Sequence, residues 1–374
     1  MGTAQAAILV LAAISLCLSL WAARADEPPQ WRFALPAPVA VTGQPMFQTV
    51  FDYTPETGQA HSPAIRLTPE GFDLLWFEGS AEAQADVDIH AASFSRGPDG
   101  WQAGPSAPLL TRGDLGAAMT PSQIVVTLGN TIENEAVPGA LYATVASVGG
   151  WAMASVVDVR MADGGPEQAH KLNLSPLLNR SNLVKSPMVA YDDGTHALPA
   201  YFEMGATYGL LVRLDRHGRV RDTRRIGAAP GAGKPIQPMI VPLDETRALA
   251  FLRDFDPSHQ LLVSRTQDGG QSWSPAAPVG IENPSSPVAA LNLGEGRILM
   301  AINDDADRPQ RLRLILGTNE GAEWRRLRQF EGDGALRYPM LRRLPGDEIV
   351  LTYSKGTKRG VVAHVFNPAW VAAQ

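Results

Sequence analysis

The stretch Ser264–Trp273 reads SRTQDGGQSW. Asp268 can accept hydrogen bonds from the N–H groups of a tight turn, and Gly269 and Gly270 supply positive φ. Trp273 then packs the turn against its own sheet. The layout recurs. LGTNEGAEWRRL repeats it at Thr318–Trp324, with Glu320 where Asp268 stood. RMADGGPEQA carries Asp163-Gly164-Gly165, RLDRHGRV keeps Gly218, and SFSRGPDGW is a shortened version ending at Trp101. The equivalent positions lie near residues 99, 163, 216, 268 and 320, so the later ones recur roughly every 52 residues. A device found all round the chain is architecture, not a single active site. A period of that length with strand-like segments between turns predicts blades of four strands.

The segments between the turns agree. GFDLLWFEG, HALPAYFEMG, TRALAFLRD, GRILMAIND and DEIVLTYSK are short and apolar, and sit about one period apart or at a multiple of it. The last group, RYPMLRRL, EIVLTYS and GVVAHVF, makes a sixth blade, and FQTVFDY near the N-terminus is placed to pair with it and remove the exposed edge. Gly 35 and Pro 30 suit many short strands joined by tight turns. No long amphipathic helix is expected after the leader. The fold expected is all-β, a six-bladed propeller over residues 45–374, preceded by an extension at 26–44.

Residues 1–25 read differently. AAILVLAAISLCLSLW is an apolar run, and Ala23–Ala25 forms a small-x-small site before Asp26. This is expected to be a signal peptide, cleaved or kept as an anchor, and it implies a periplasmic or secreted protein. Membrane contact is expected only if the leader stays. Cys17 is the single cysteine, which excludes disulfides, a thiolate nucleophile and a Cys-based metal site in the remainder. No metal or cofactor is expected. The net charge is −6, and nucleic acid is a poor partner for an exported acidic chain. The charge is uneven: residues 26–170 hold 5 basic and 17 acidic side chains, and residues 171–374 hold 26 and 21. The later part is therefore where a cationic pocket is expected. GAAPGAGKP (227–235) is no phosphate loop, since Ala228 stands where the first Gly is required and Pro235 replaces the Ser or Thr. RVRDTRR (219–225) reads as an outer-strand face, and SVGGWAMAS (147–155) as a tightly packed inner strand.

The turns resemble the Asp-box, S/T-x-D-x-G-x-x-W, of sialidases and related propellers, with Thr266–Trp273 a full match. HSPAIRLTPEGFDLLWFEGS, IQPMIVPLDETRALAFLRD, NPSSPVAALNLGEGRILMAIND and YPMLRRLPGDEIVLTYSKG resemble successive blades of the bacterial sialidase-like BNR-repeat family. The resemblance covers roughly residues 45–370 and implies a pocket on the central axis. There, arginines clamp a sugar carboxylate bidentately. A Tyr attacks the anomeric carbon with a Glu as its base, and an Asp serves as acid/base. Carried onto this chain, Arg253 in FLRD fits the second clamp arginine. Arg311 fits the third, with Arg308 and Arg313 as neighbours that could take the role. Tyr338 in LRYPML fits the nucleophile. Asp86 stands near the acid/base position, with Asp88 and Glu82 as competitors. Two positions depart from the family. His61 in HSPAI replaces the first clamp arginine, with Arg66 five residues on, and Gln237 stands on the strand where the Glu belongs. Glu203 of the preceding blade could substitute for it.

Two functions stay open. One is an exported sialidase-like glycoside hydrolase acting on a terminal acidic sugar. The other is a propeller that binds such a glycan without cleaving it, as part of a cell-envelope polysaccharide system.

Overall fold

The computed structural model describes residues 2–25, 29–98, 100–175, 179–256 and 260–374. Asp26 at the expected cleavage site and Asp99 in the first turn lie outside the described residues. The chain divides into two units, Met1–Gln30 and Trp31–Gln374. The first holds the helix Thr3–Ala25. Among the described residues no helix is long and apolar enough to cross a membrane.

The second unit is a six-bladed β-propeller of six antiparallel sheets. Blade 1 runs Gln59–Thr68, Gly71–Gly79, Asp88–Gly97 and Gly100–Ala103, with Ala107–Leu110 also on its third strand. Blade 2 runs Thr127–Glu133, Leu141–Ala146, Ala154–Ala162 and Gly165–Lys171. Blade 3 runs Asn182–Val184, His196–Phe202, Tyr208–Leu214 and Val220–Ile226, with Val189–Ala190 also on its second strand. Blade 4 runs Pro235–Pro242, Ala248–Asp254, Gln260–Thr266 and Ala277–Glu282, and blade 5 runs Ala289–Gly294, Arg297–Ile302, Arg311–Thr318 and Glu323–Glu331. Blade 6 takes Arg337–Arg343, Ile349–Lys355 and Gly360–Phe366 from the C-terminal end. Its outer strand is Phe47–Tyr53, which pairs antiparallel with Gly360–Phe366. The ring thus closes as expected, and closure removes an exposed edge.

Burial explains which segments were legible. The second strand of each blade lies between neighbours on both faces, so Gly71–Gly79 is buried over its first seven residues. Such strands read as continuous apolar runs. All five apolar segments of the sequence analysis are second strands, one per blade. Outer strands alternate, as in Val220–Ile226, where every second residue is exposed. The basic run 219–225 is therefore an outer-strand face. SVGGWAMAS is not an inner strand. Gly150–Met153 forms a single 3-10 turn before the third strand of blade 2, because Gly149 and Gly150 both take positive φ and break the extended run.

The five recurring turns all join the third and fourth strands of their blades. In blade 4, Asp268 accepts from the Ser272 N–H at 2.9 Å, Thr266 Oγ1 accepts from the Gly270 N–H at 3.0 Å, and the Trp273 indole donates to the Gly270 carbonyl at 3.1 Å. Gly269 has φ +74, and a Cβ there would stand 1.8 Å from the Trp31 carbonyl oxygen. The turn therefore also receives the extension, which hydrogen-bonds onward to blades 4, 5 and 6 through Phe33, Val39 and Ala40. Replacing Asp268 by Ala is expected to lower stability by about 0.5–2 kcal/mol, by analogy with a lost helix cap, and to leave ligand binding intact. Denaturant unfolding beside a binding titration checks this. Lost binding in a folded variant would contradict it.

Candidate active site

The site grows from the first strands of the blades, which neighbour one another round the ring. Near their starts the first strands of blades 1, 2, 4 and 6 carry an irregularity. Register shifts fall between His61 and Ala64, Leu128 and Thr131, Ile236 and Met239, and Arg337 and Met340. Ser62 (φ 55), Gln237 (φ 52) and Tyr338 (φ 57) sit in left-handed conformation, each immediately before a proline. L residues reach that region at a cost of about 1–2 kcal/mol. A bulge of this kind re-aims a side chain, and here it turns each one toward the axis.

The pocket so formed encloses about 220 Å³ and is lined by residues of blades 1, 2, 3, 4 and 6 and their loops, among them His61, Asn130, Trp151, Glu203, Arg253 and Tyr338. A hydrogen-bond chain orders it. Arg253 Nε donates to Ser285 Oγ at 3.0 Å and its Nη1 to Gln237 Oε1 at 3.3 Å. The Gln237 amide in turn donates to the Tyr201 hydroxyl at 3.2 Å and the Tyr338 hydroxyl at 3.4 Å. The His61 ring stands edge-on to the Tyr338 ring, centroids 4.5 Å apart. Asn130 accepts from Ser62 Oγ and donates to the Val184 carbonyl, which ties blades 1, 2 and 3 together at the axis.

The electrostatics are cationic with two carboxyls. Arg253, Arg337 and Lys358 line the pocket, and Lys358 pairs with Glu82. Lys185 is buried on the axis side, donating to the Pro339 carbonyl at 2.7 Å. Burial pushes its ammonium down to about 7. Burial also lowers the His61 imidazole well below its usual value, and Lys358, Arg337 and Lys185 act in the same direction, so His61 stays neutral. Glu203 is raised by burial, which outweighs the opposing pull of Arg253, while Glu82 adds to the rise. All four cations come from residues 171–374, the basic part of the chain.

Of the expected site residues, the structure brings His61, Glu203, Gln237, Arg253 and Tyr338 together. It places three elsewhere. Arg311, at the start of the third strand of blade 5, pairs with Glu331 at 2.9 Å and Asp305 at 3.6 Å. Arg313 pairs with Asp304, and neither it nor Arg308 lines the pocket. Arg66 lies at the hairpin end of its strand, bound to Asp73. Asp86 is exposed, with its carboxylate accepting from Ser80 N at 3.0 Å and Oγ at 2.9 Å, and those bonds hold it below the usual range. Asp88 opens the third strand of blade 1 and does not line the pocket either. Glu82, on the same loop as Asp86, is the carboxyl that faces the pocket. Arg337, Lys358 and Lys185 were not singled out from the sequence. The available signal was the residue-proline pair at the start of the first strands, HSP, IQP and RYP, with Arg337 beside Tyr338 in the last.

A six-bladed propeller with Asp-box turns and an axial pocket of arginines, tyrosine and carboxyls defines a sialidase-like architecture. The description "BNR repeat-like domain" matches residues 72–350, and the chain belongs to that family. No match was found among curated proteins. Solved structures match in shape. A protein of unknown function from Dyadobacter fermentans superposes with TM-score 0.64 at 13% identity, over 86% of this chain and 99% of that one. The Hadza microbial sialidase Hz136 gives TM-score 0.61 at 12% identity, over 82% and 65%. A Trypanosoma rangeli sialidase in complex with sialic acid gives 0.59 at 12%, over 87% and 58%. At these identities the likeness is one of fold.

Proposed function

We propose that the axial pocket holds the carboxylate of a terminal acidic sugar in a glycan. The observation that carries this reading is the convergence of Arg253, Arg337 and Lys358 on one small cavity. Arg253 is already oriented there by Gln237 and Ser285. A planar guanidinium held in place matches a carboxylate with little further loss of freedom. Trp151 offers a face for the sugar ring, and His61 lines the pocket without adding charge. With its leader, the chain performs this outside the cytoplasm. Calorimetric titration with sialic acid, glucuronic acid and glucose tests the reading. The acids bind and glucose does not. Equal affinity for all three would end it.

A second reading, hydrolysis at that sugar, is favoured by Tyr338 and Glu203 sharing the pocket. Tyr338 attacks the anomeric carbon and Glu203 takes its proton, while Gln237, a donor to the phenol oxygen, steadies the developing phenolate. The raised Glu203 carboxyl is a stronger base than an exposed one. The glycosidic C–O bond breaks as the Tyr338 oxygen bonds to the anomeric carbon, and the leaving oxygen takes its proton from Glu82, the pocket carboxyl on the loop that also holds Asp86. Tyr338→Phe is then expected to spare sugar binding and to remove release of the fluorophore from a sialoside or uronide substrate. Turnover that survives Tyr338→Phe removes this mechanism and leaves the binding site standing.

A further inference from the structure

Each first strand is the inner end of its sheet, so its axis-facing edge has no neighbouring strand. Backbone groups on such an edge need partners from elsewhere, because a buried polar group left unsatisfied is costly. Blade 3 shows how they are met. The Val184 carbonyl accepts from Asn130 Nδ2 at 3.0 Å, and the Val184 N–H donates to Thr144 Oγ1 at 3.3 Å, both from the adjoining blade 2.

The next residue reaches further. Lys185 follows the first strand of blade 3, and its Nζ donates to the Pro339 carbonyl of blade 6 at 2.7 Å. In a ring of six these two blades stand opposite each other, so the side chain crosses the axis. Lys185 is 3% exposed. Burying an ammonium is costly unless it is well bonded, and this bond is short and charge-assisted. The carbonyl it meets lies inside a bulge. Arg337 is in register with Ser354 and Met340 with Thr352, which leaves Tyr338 and Pro339 between them without partners in the register. Pro339 has no N–H to offer, and Tyr338 holds its left-handed φ of 57. Such a conformation persists only where the surroundings over-determine it. The mount of Lys185 is itself fixed. Val184 is tied to blade 2 as above, and the Met188 N–H donates to Glu135 Oε1 at 2.7 Å. Three blades thus hold Tyr338. Gln237 of blade 4 meets its hydroxyl, the His61 ring of blade 1 meets its ring, and Lys185 of blade 3 meets the carbonyl of the next residue.

We infer that Lys185 is a positioning residue: from the far side of the ring it holds the Tyr338–Pro339 bulge, and so sets where the Tyr338 hydroxyl stands in the pocket. The effect on turnover rests on the hydrolysis reading above, and the positioning itself does not.

The test uses the full chain labelled with 3-fluorotyrosine. Each of its seven tyrosines then carries a fluorine, and Tyr338→Phe identifies the resonance of Tyr338. Lys185→Met removes the donor and keeps the reach of the side chain, while Lys185→Arg keeps a charged donor. The Tyr338 resonance is expected to shift or broaden in Lys185→Met and to return toward its wild-type position in Lys185→Arg. Those of Tyr53, Tyr208 and Tyr353 should stay in place. The kcat for a fluorogenic sialoside or uronide should fall about tenfold to a hundredfold in Lys185→Met, the cost of a misplaced reacting group, with KM within about threefold. Ser264→Ala removes a buried bond to the Ser274 carbonyl in blade 4. It should lower the melting temperature and produce neither change. Where Lys185→Met does not fold, Lys185→Gln, a shorter and uncharged donor, is measured in its place. An unmoved Tyr338 resonance in a folded variant overturns the inference, as does an unchanged kcat where the wild type is active. Changes spread over all seven tyrosines, or the same changes in Ser264→Ala, also overturn it, since Lys185 would then serve ring packing alone. If the wild type turns over no glycoside, the hydrolysis reading fails and the resonance by itself decides this inference.

Discussion

Arg253→Ala is expected to weaken binding of an acidic sugar by about tenfold to a hundredfold. The guanidinium makes charge-assisted bonds to the carboxylate, worth about 1.5–3 kcal/mol, and each 1.4 kcal/mol is a factor of ten. The loss should be selective. Arg253 sits on Gln237 and Ser285, and its removal leaves Tyr338 still bonded to Gln237. A neutral analogue of the same sugar, if it binds at all, should be held as before. Titrating the acidic sugar and its amide against wild type and variant separates the outcomes. Equal loss for both would mean that Arg253 shapes the pocket and does not grip the carboxylate. The effect should also shrink with salt less than that of a surface pair, since the partners meet in a partly enclosed site.

The second large effect concerns acid. His364 is buried between blades 5 and 6, stacked on Phe330 with centroids 4.9 Å apart. Its Nδ1 lies 3.0 Å from Thr49 Oγ1 and its Nε2 3.0 Å from the Tyr353 hydroxyl. Burial pushes its imidazole down to about 4, with Arg328 adding to the shift and Asp52 opposing it. The sign follows directly. The unfolded chain takes up this proton near pH 6.5 and the folded chain only near pH 4, so the folded state loses relative stability as pH falls through that window. A shift of this size is worth about 3 kcal/mol at 1.36 kcal/mol per pH unit. His61 and His196 are lowered too and act in the same direction, so the measurement must be a difference. Denaturant unfolding between pH 7 and pH 4 should show His364→Gln losing about 3 kcal/mol less than wild type. Parallel curves would show that His364 does not titrate in this way.

Much of the fold was legible because it depends on short-range chemistry repeated along the chain. Asp268, Gly269 and Gly270 determine their turn wherever the rest of the blade lies, since the needed acceptor and the positive φ are local. The second strands declared themselves because burial on two faces demands an unbroken apolar run, as in GFDLLWFEG. The failure at SVGGWAMAS has the same origin. Small apolar residues were read as core, while the two glycines, free to take positive φ, made a turn of them.

The site divides along another line. Arg253 and Tyr338 stood in motifs tied to a particular strand end, so their strands carried them to the axis. Arg311 looked equivalent in the chain, but its neighbours Glu331 and Asp305 meet it only across a strand pair and a loop, and they engage its charge there. Asp86 and Glu82 lie four residues apart on one loop, and nothing local says which faces inward. By itself, then, the sequence determined the number of blades, the closing strand and the turn chemistry, because each follows from periodicity and nearest neighbours. Which charges meet at the axis was decided only by the tertiary structure. The first strands must come together, four of them with a bulge, before Arg337, Lys358 and Glu203 stand in one cavity, and a side chain's burial and electrostatic company depend on residues hundreds of positions away.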